Sequence, residues 1–199
     1  MRRPARLVLT IALVALLPVL AACGSDTQGG PSTIPASGAR TQPVTLTGAS
    51  TTIALDPLTV GVLSDNNISW APIPPARRAA EGIRFPITSG EVRPDTLGGS
   101  IDHAGGIALT NGRLRVALRD IVINTTTGQL SADAGAGPVA LMNLDLSSGK
   151  RLDVGNRLVL GDIPATLSSK AAHALSEALN VSVFTPALPI GIAVISATH

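Results

Sequence analysis

Short alternations of apolar and polar residues, separated by turn residues, run from Val44 to His199 and constrain the fold most strongly. The clearest lies at residues 113–123, where three aliphatic side chains alternate with arginines and two isoleucines continue with the opposite parity. These aliphatic residues are Leu114, Val116, Leu118, Ile121 and Ile123. A period of two is typical of a β-strand with one buried face. The reversal of parity predicts a one-residue bulge near Arg119–Asp120.

Similar alternations elsewhere in the chain predict the remaining strands. They lie at residues 51–55, 58–62, 83–87, 130–132, 141–146 and 158–160, and a short strand starts at Val92. Gly, Pro, Asn and Asp separate them, as in antiparallel β proteins with one buried face. The predicted fold is therefore mainly β, an antiparallel β-sandwich or barrel-like domain.

The C-terminal third of the chain adds one helix and a strand that prolines interrupt. Apolar residues fall at helical spacing from about Ser168, a suitable N-cap, to Asn180, a suitable C-terminal stop. Pro186 and Pro189 interrupt the last apolar segment, residues 184–195. This predicts one short C-terminal helix, followed by a segment that lies partly at a sheet edge.

The first 22 residues have the layout of a signal peptide. Three arginines precede an apolar run of about 14 residues, shorter than the roughly 20 needed to span a bilayer. The tetrad Leu20–Cys23 (LAAC) resembles the lipobox of bacterial lipoproteins, which implies cleavage before Cys23 and lipid on its sulfur. Cys23 is the only cysteine, so it has no intramolecular disulfide partner. We expect a lipid anchor at the extracytoplasmic face of the cell membrane; a plain secretory leader is the alternative.

The leader divides the chain into three predicted segments: a signal peptide (1–22), a lipid-anchored tether (23–43) and a single β-rich domain (44–199). The tether is rich in Gly, Ser, Thr and Pro, so it has too little apolar area to offset ordering entropy, and we expect it to be disordered. Removing three of the 15 basic residues leaves 12 against 13 acids, a formal charge of −1. The mature chain therefore lacks the basic excess that nucleic-acid binding requires.

Few residues of the chain suit catalysis or metal binding. It has three histidines, one cysteine and no Gly-x-Ser-x-Gly turn, so the sequence favours neither a hydrolase nor a zinc site. His103 is a candidate ligand-binding residue; the alternative is a surface histidine near a turn. Trp70, the only tryptophan, is a second candidate as a contact residue at a loop; the alternative is a plug at the end of a sandwich. We expect no catalytic and no metal-binding residue.

Several short motifs resemble the HtaA-like surface domains of actinobacteria over about residues 83–180. They are residues 101–107 (IDHAGGI), the strand at 114–123, residues 128–133 (GQLSAD) and residues 165–167 (ATL) before the helix. The resemblance implies a β-rich exported module. It also implies haem binding, as in some members, through a tyrosine assisted by a histidine near the Gly-Gly turn. His103 stands at that histidine position, whereas the sequence contains no tyrosine.

These observations together predict a non-enzymatic surface lipoprotein with a binding or envelope-structural role. Its expected partners are the membrane, through Cys23, and a hydrophobic ligand or an envelope protein, and no cofactor is expected. The alternative is an HtaA-like carrier of haem or another hydrophobic ligand, which an apolar pocket beside His103 would favour.

Overall fold

The strands of the computed structural model, which describes residues 42–199, form one continuous antiparallel sheet. In chain order the strands are β1 (Val44–Thr45), β2 (Ala49–Leu55), β3 (Ile68–Ile73), β4 (Arg77–Ala79), β5 (Gly82–Val92), β6 (Gly99–His103), β7 (Gly106–Asn111), β8 (Leu114–Asn124), β9 (Gln129–Asp133), β10 (Pro138–Leu144), β11 (Lys150–Val154), β12 (Arg157–Leu167) and β13 (Pro189–Thr198). Helix α1 (Pro57–Asp65) lies between β2 and β3, and α2 (Ser169–Leu179) lies between β12 and β13. Neither helix is long and apolar enough to cross a bilayer.

Eight strands close into a barrel in the order β5-β2-β13-β12-β10-β9-β8-β6, because β6 pairs with both β5 and β8. The other strands extend the sheet outside the barrel: β1 and β4 pair with β5, β11 pairs with β12, and β7 joins β3 to β8. The prediction of a mainly β, barrel-like domain is confirmed. Closure leaves the barrel itself without an open edge.

Alternation along each strand builds the core inside this barrel. Every second residue of the paired strands points inward, and the central ones are fully buried: Ile101, Ile123, Ile163 and Ile195. In β8 the predicted bulge is confirmed, because the register with β9 shifts between Arg119 and Val122 and Asp120 has a positive φ of 49°. The bulge turns Ile121 and Ile123 toward the core.

Helix α2 follows the sequence prediction closely. The side chain of Ser168 accepts a hydrogen bond from the amide of Ala171, and Asn180 ends the helix in the left-handed conformation. The buried face includes Leu175 and Leu179, and the helix packs against β8 and β10. The helix therefore covers one side of the barrel.

The segment at residues 58–62, predicted to be a strand, is instead helix α1, so the domain has two helices. Asp56 caps the helix by accepting a hydrogen bond of 2.8 Å from the amide of Leu58, and Pro57 occupies its first turn. Thr59 and Leu63, four residues apart, are its buried residues. The apolar alternation was therefore misleading, since one helical turn separates the side chains that pack inward.

Other details of the strands also differ from the prediction, and β3, β4 and β11 lie where no strand is predicted. Residues 82–92 form the single strand β5 with a register shift, rather than one strand at residues 83–87 and another that starts at Val92. Strand β13 lies between β12 and β2 rather than at a sheet edge. Pro189 is tolerated there because it is the first residue of the strand. Gly191 follows with φ of +149°, and an added Cβ would lie 1.8 Å from the carbonyl oxygen of Ala54, so only glycine fits this approach to β2.

Candidate ligand-binding site

His103, the last residue of β6, points into the barrel and is only 4% exposed. Its Nδ1 lies 3.2 Å from the carbonyl oxygen of Ile121, which can only accept, so Nδ1 carries the proton and donates. Its Nε2 therefore accepts a hydrogen bond of 2.7 Å from the hydroxyl of Thr51 on β2. The neighbouring Asp102 points outward, where its carboxylate accepts a hydrogen bond of 2.7 Å from the hydroxyl of Ser89. The alternative of a surface histidine is wrong.

Burial also fixes the protonation state of His103. Desolvation lowers its pKa from 6.5 to about 4, and the weaker opposing effects of the Ile121 carbonyl and the Asp102 charge do not restore it. The ring is therefore neutral at physiological pH, with its donor and its acceptor both satisfied. The Thr51–His103 pair and the Ile121 carbonyl together link β2, β6 and β8 across the interior without an uncompensated charge.

The lowered pKa of His103 predicts how stability depends on pH. The unfolded chain binds this proton near pH 6.5 and the folded chain only near pH 4. The contribution of the neutral ring is thus complete above pH 6.5 and is lost as the pH falls toward 4. We expect this histidine to account for a loss of about 3 kcal/mol in the free energy of unfolding over that range. Urea unfolding at each pH measures it.

A pair of histidine variants isolates this effect from the titration of carboxylates. His103→Gln should flatten the dependence between pH 6.5 and 4, whereas His173→Gln, at an exposed position of α2, should retain it. An equal slope in both variants would show that His103 does not control the acid sensitivity.

An apolar cavity of about 70 Å³ lies beside the Thr51–His103 pair, between strands of the barrel and the strands β3 and β7 that extend the sheet. Ile121, whose carbonyl accepts the His103 hydrogen bond, contributes its side chain to the wall, but His103 itself does not line the cavity. The wall is built from strands, both helices and the segment before β13, including Ile53, Leu55, Leu63, Phe85, Leu175 and Phe184. Thr59 is the one polar residue in the wall, and its hydroxyl donates to the carbonyl oxygen of Pro189. The described residues therefore leave no unpaired polar side chain facing this space.

Trp70 lies within β3 rather than at a loop, and its side chain is half-buried. Trp70 and Leu63 line the cavity on one side and an outer depression on the other. The guanidinium of Arg78 stacks over the indole of Trp70, 3.9 Å from the ring centre. Its Nη2 also donates a hydrogen bond of 2.9 Å to the Trp70 carbonyl oxygen. A ligand moving from the depression to the cavity would pass this pair.

The structure thus brings Trp70 to the cavity wall and places His103 next to the wall. Sequence reasoning missed the contribution of α1, although the pair Asp56–Pro57 is a recognisable helix start. Cys23 lies outside the described residues. Within residues 42–199, no group of three or more His, Cys, Asp or Glu side chains is arranged to hold a metal ion.

Comparison with known proteins places this fold. No protein-family model and no curated protein matches the sequence. The C-terminal domain of HtaA from Corynebacterium glutamicum is similar, with a TM-score of 0.60 and 20% identity over 77% of this chain and 98% of that chain. A domain-swapped dimer of a histidine-to-alanine variant of that domain gives a TM-score of 0.51 and 22% identity over 71% and 87% of the two chains. The described residues have an HtaA-like fold, which confirms the resemblance in the sequence motifs.

Proposed function

We propose that this chain is a lipid-anchored, extracytoplasmic binding protein whose HtaA-like domain takes a single-chain apolar ligand into the barrel. The observation that carries the proposal is the cavity, which has an apolar wall and a tryptophan between it and the surface. Binding sites for apolar ligands combine such a wall with a few polar groups at the mouth.

The size of the cavity argues for a slender ligand. Benzene occupies an engineered cavity of roughly 150 Å³ in another protein, so about 70 Å³ has room only for a smaller group, such as the last few carbons of a linear hydrocarbon chain. Arg78 stands at the mouth and makes no salt bridge within the described residues. Its guanidinium is therefore suited to the carboxylate or phosphate of an amphiphile whose chain passes Trp70.

The described residues do not fit an axially coordinated haem. A strong anionic ligand for ferric iron would be a tyrosinate, and the sequence has no tyrosine. Both ring nitrogens of His103 already have partners, Thr51 and Ile121, and the ring lies outside the cavity wall. A porphyrin is also several times larger than benzene, so the barrel would have to open widely to admit it.

The chemistry of the interior favours binding over catalysis. Among the described residues His103 is the only buried titratable side chain, and it is separated from the cavity by the wall. In the described part of the chain, no carboxylate or free hydroxyl lines the cavity as a nucleophile or as an acid–base group. The one hydroxyl in the wall, that of Thr59, already donates to the Pro189 carbonyl, so the wall has no free group that could polarise a substrate.

The location of the protein rests on its leader. The tetrad Leu20–Cys23 supplies small residues before a lone cysteine, and residues 24–43 separate that cysteine from the sheet. Two or more acyl chains on Cys23 would make a durable anchor, because a single chain binds a membrane only reversibly.

Photo-cross-linking with a fatty acid that carries a diazirine near its methyl end tests where the ligand lies. We expect the label on peptides that contain the cavity wall, around residues 53–63 and 107–121, because the methyl end would be buried there. Excess unlabelled fatty acid should remove this label. Labelling that follows surface exposure instead, as at the exposed turn of residues 134–136, would contradict the proposal.

A further inference from the structure

We propose that the hairpin formed by residues 150–161, which joins β11 to the first half of β12, docks on an anionic lipid surface. The inference rests on the proposed anchor at Cys23, which would hold the domain near a membrane. Three observations carry it: exposed aliphatic side chains, flanking cations, and the position of the hairpin beside the point where the chain enters the sheet.

The aliphatic side chains lie on an edge strand of the sheet. All five residues of β11 are exposed, and Leu152 and Val154 are each 59% exposed. Because they are two residues apart in a strand, they point to the same face. On that face Leu152 lies opposite the half-buried Val159 of β12. The hairpin thus presents an aliphatic surface that nothing within the described residues covers.

Basic residues flank these side chains on the same face of the hairpin. Lys150 lies on this face and pairs with Asp162 at 2.7 Å, whereas Arg151 and Asp153 pair with each other at 2.7 Å on the opposite face. Arg157 is exposed and makes no ion pair in the described part of the chain, so the hairpin carries an excess of positive charge. Aliphatic side chains flanked by cations suit the boundary between acyl chains and anionic headgroups.

The hairpin turn lies at the end of the sheet where the tether joins. The amide of Thr47, just after β1, donates to the carbonyl oxygen of Thr198 at 2.6 Å. The next residue, His199, donates its amide to the carbonyl oxygen of Asn156 in the hairpin turn at 2.9 Å. A tether at Val44 would therefore keep this end of the domain at high local concentration near the membrane.

Another exposed aliphatic residue provides the contrast. Leu58 on α1 is 74% exposed, more than either hairpin residue. However, α1 has no basic residue, and Asp56 and Asp65 lie at its ends. Ala49, at the start of β2, pairs with β13 beside the hairpin. Helix α1 follows the other end of β2 and is therefore distant from the hairpin along that strand. Exposure alone would favour Leu58, whereas charge and position favour the hairpin.

Hydrogen exchange on tethered protein tests the proposal. The chain lacking the leader is coupled through the thiol of Cys23, its only cysteine, to a maleimide lipid in vesicles of phosphatidylcholine and phosphatidylglycerol. We expect exchange in residues 150–157 to slow about tenfold relative to the uncoupled protein, since burying part of two aliphatic side chains opposes local opening. Exchange in α1 should not change.

The double variant Leu152→Asp/Val154→Asp should lose this protection, and the matched control Leu58→Asp should keep it. The absence of protection in the tethered wild type, or equal protection of α1, would overturn the proposal. The chemical tether makes the outcome independent of whether cells lipidate Cys23, so failure here and failure of the proposed anchor are distinguishable.

Discussion

Cys23→Ser is expected to abolish lipidation and either to release the domain or to strand it on an uncut leader. Each buried methylene of an acyl chain contributes roughly 0.8 kcal/mol, so losing the lipid should reduce the membrane partitioning of released domain by more than about a hundredfold. Cells fed labelled palmitate should incorporate label into the wild type and none into the variant. In detergent phase separation the wild type should enter the detergent phase, whereas variant domain that is released should remain in the aqueous phase.

Ser25→Ala is the matched control for this experiment, since it changes a neighbouring hydroxyl and leaves the tetrad Leu20–Cys23 intact. It should keep the palmitate label and the membrane location. A wild-type protein that carries no label and is freely soluble would show that the lipoprotein assignment is wrong. The binding site in the barrel would then need a separate account of where it operates.

The local features of the fold that sequence predicted are those that neighbouring residues determine. The bulge at Arg119–Asp120 follows from a change of parity within β8, and the limits of α2 follow from Ser168 and Asn180. Helix α1 was missed because Leu58 and Val60 alternate with polar or small residues as a strand would. Both are exposed, and the inward pair is Thr59 and Leu63. Here the capping signal was more informative than the hydrophobic pattern.

The site could be predicted only in part, because distant segments build it. Closure of the barrel depends on β6 pairing with both β5 and β8, which no local pattern specifies. His103 ends β6 just before a turn, so its sequence context does not distinguish the interior from the surface. The residues of the cavity wall are spread along the sequence from Ile53 to Ile190. The sequence therefore predicted Trp70 as a contact residue but did not indicate which surface it contacts. The charge of the mature chain argues against nucleic-acid binding, and the spacing of its histidines and single cysteine argues against a zinc site; both stay predictions.

Filling the cavity is the second change, after Cys23→Ser, for which we expect a large effect, because it should abolish ligand binding. Leu55 at the end of β2 lines the cavity, and a tryptophan in its place would occupy the space that a hydrocarbon chain needs. We expect Leu55→Trp to weaken binding by at least about a hundredfold. Leu152→Trp makes the same substitution on exposed β11, so it should bind as the wild type does. Thermal unfolding checks that each variant is folded. Met142 lines the same cavity, so Met142→Trp is a second variant that should fill it.

Fluorescence titration with cis-parinaric acid, a linear fatty acid that emits strongly in apolar surroundings, tests the central claim most directly. Delipidated wild type and Leu152→Trp should each show saturable binding of one fatty acid per chain. Folded Leu55→Trp and Met142→Trp should show no saturable signal. If the wild type shows no saturable binding, or if folded variants with a filled cavity bind as tightly as the wild type, the barrel cavity is not the ligand site.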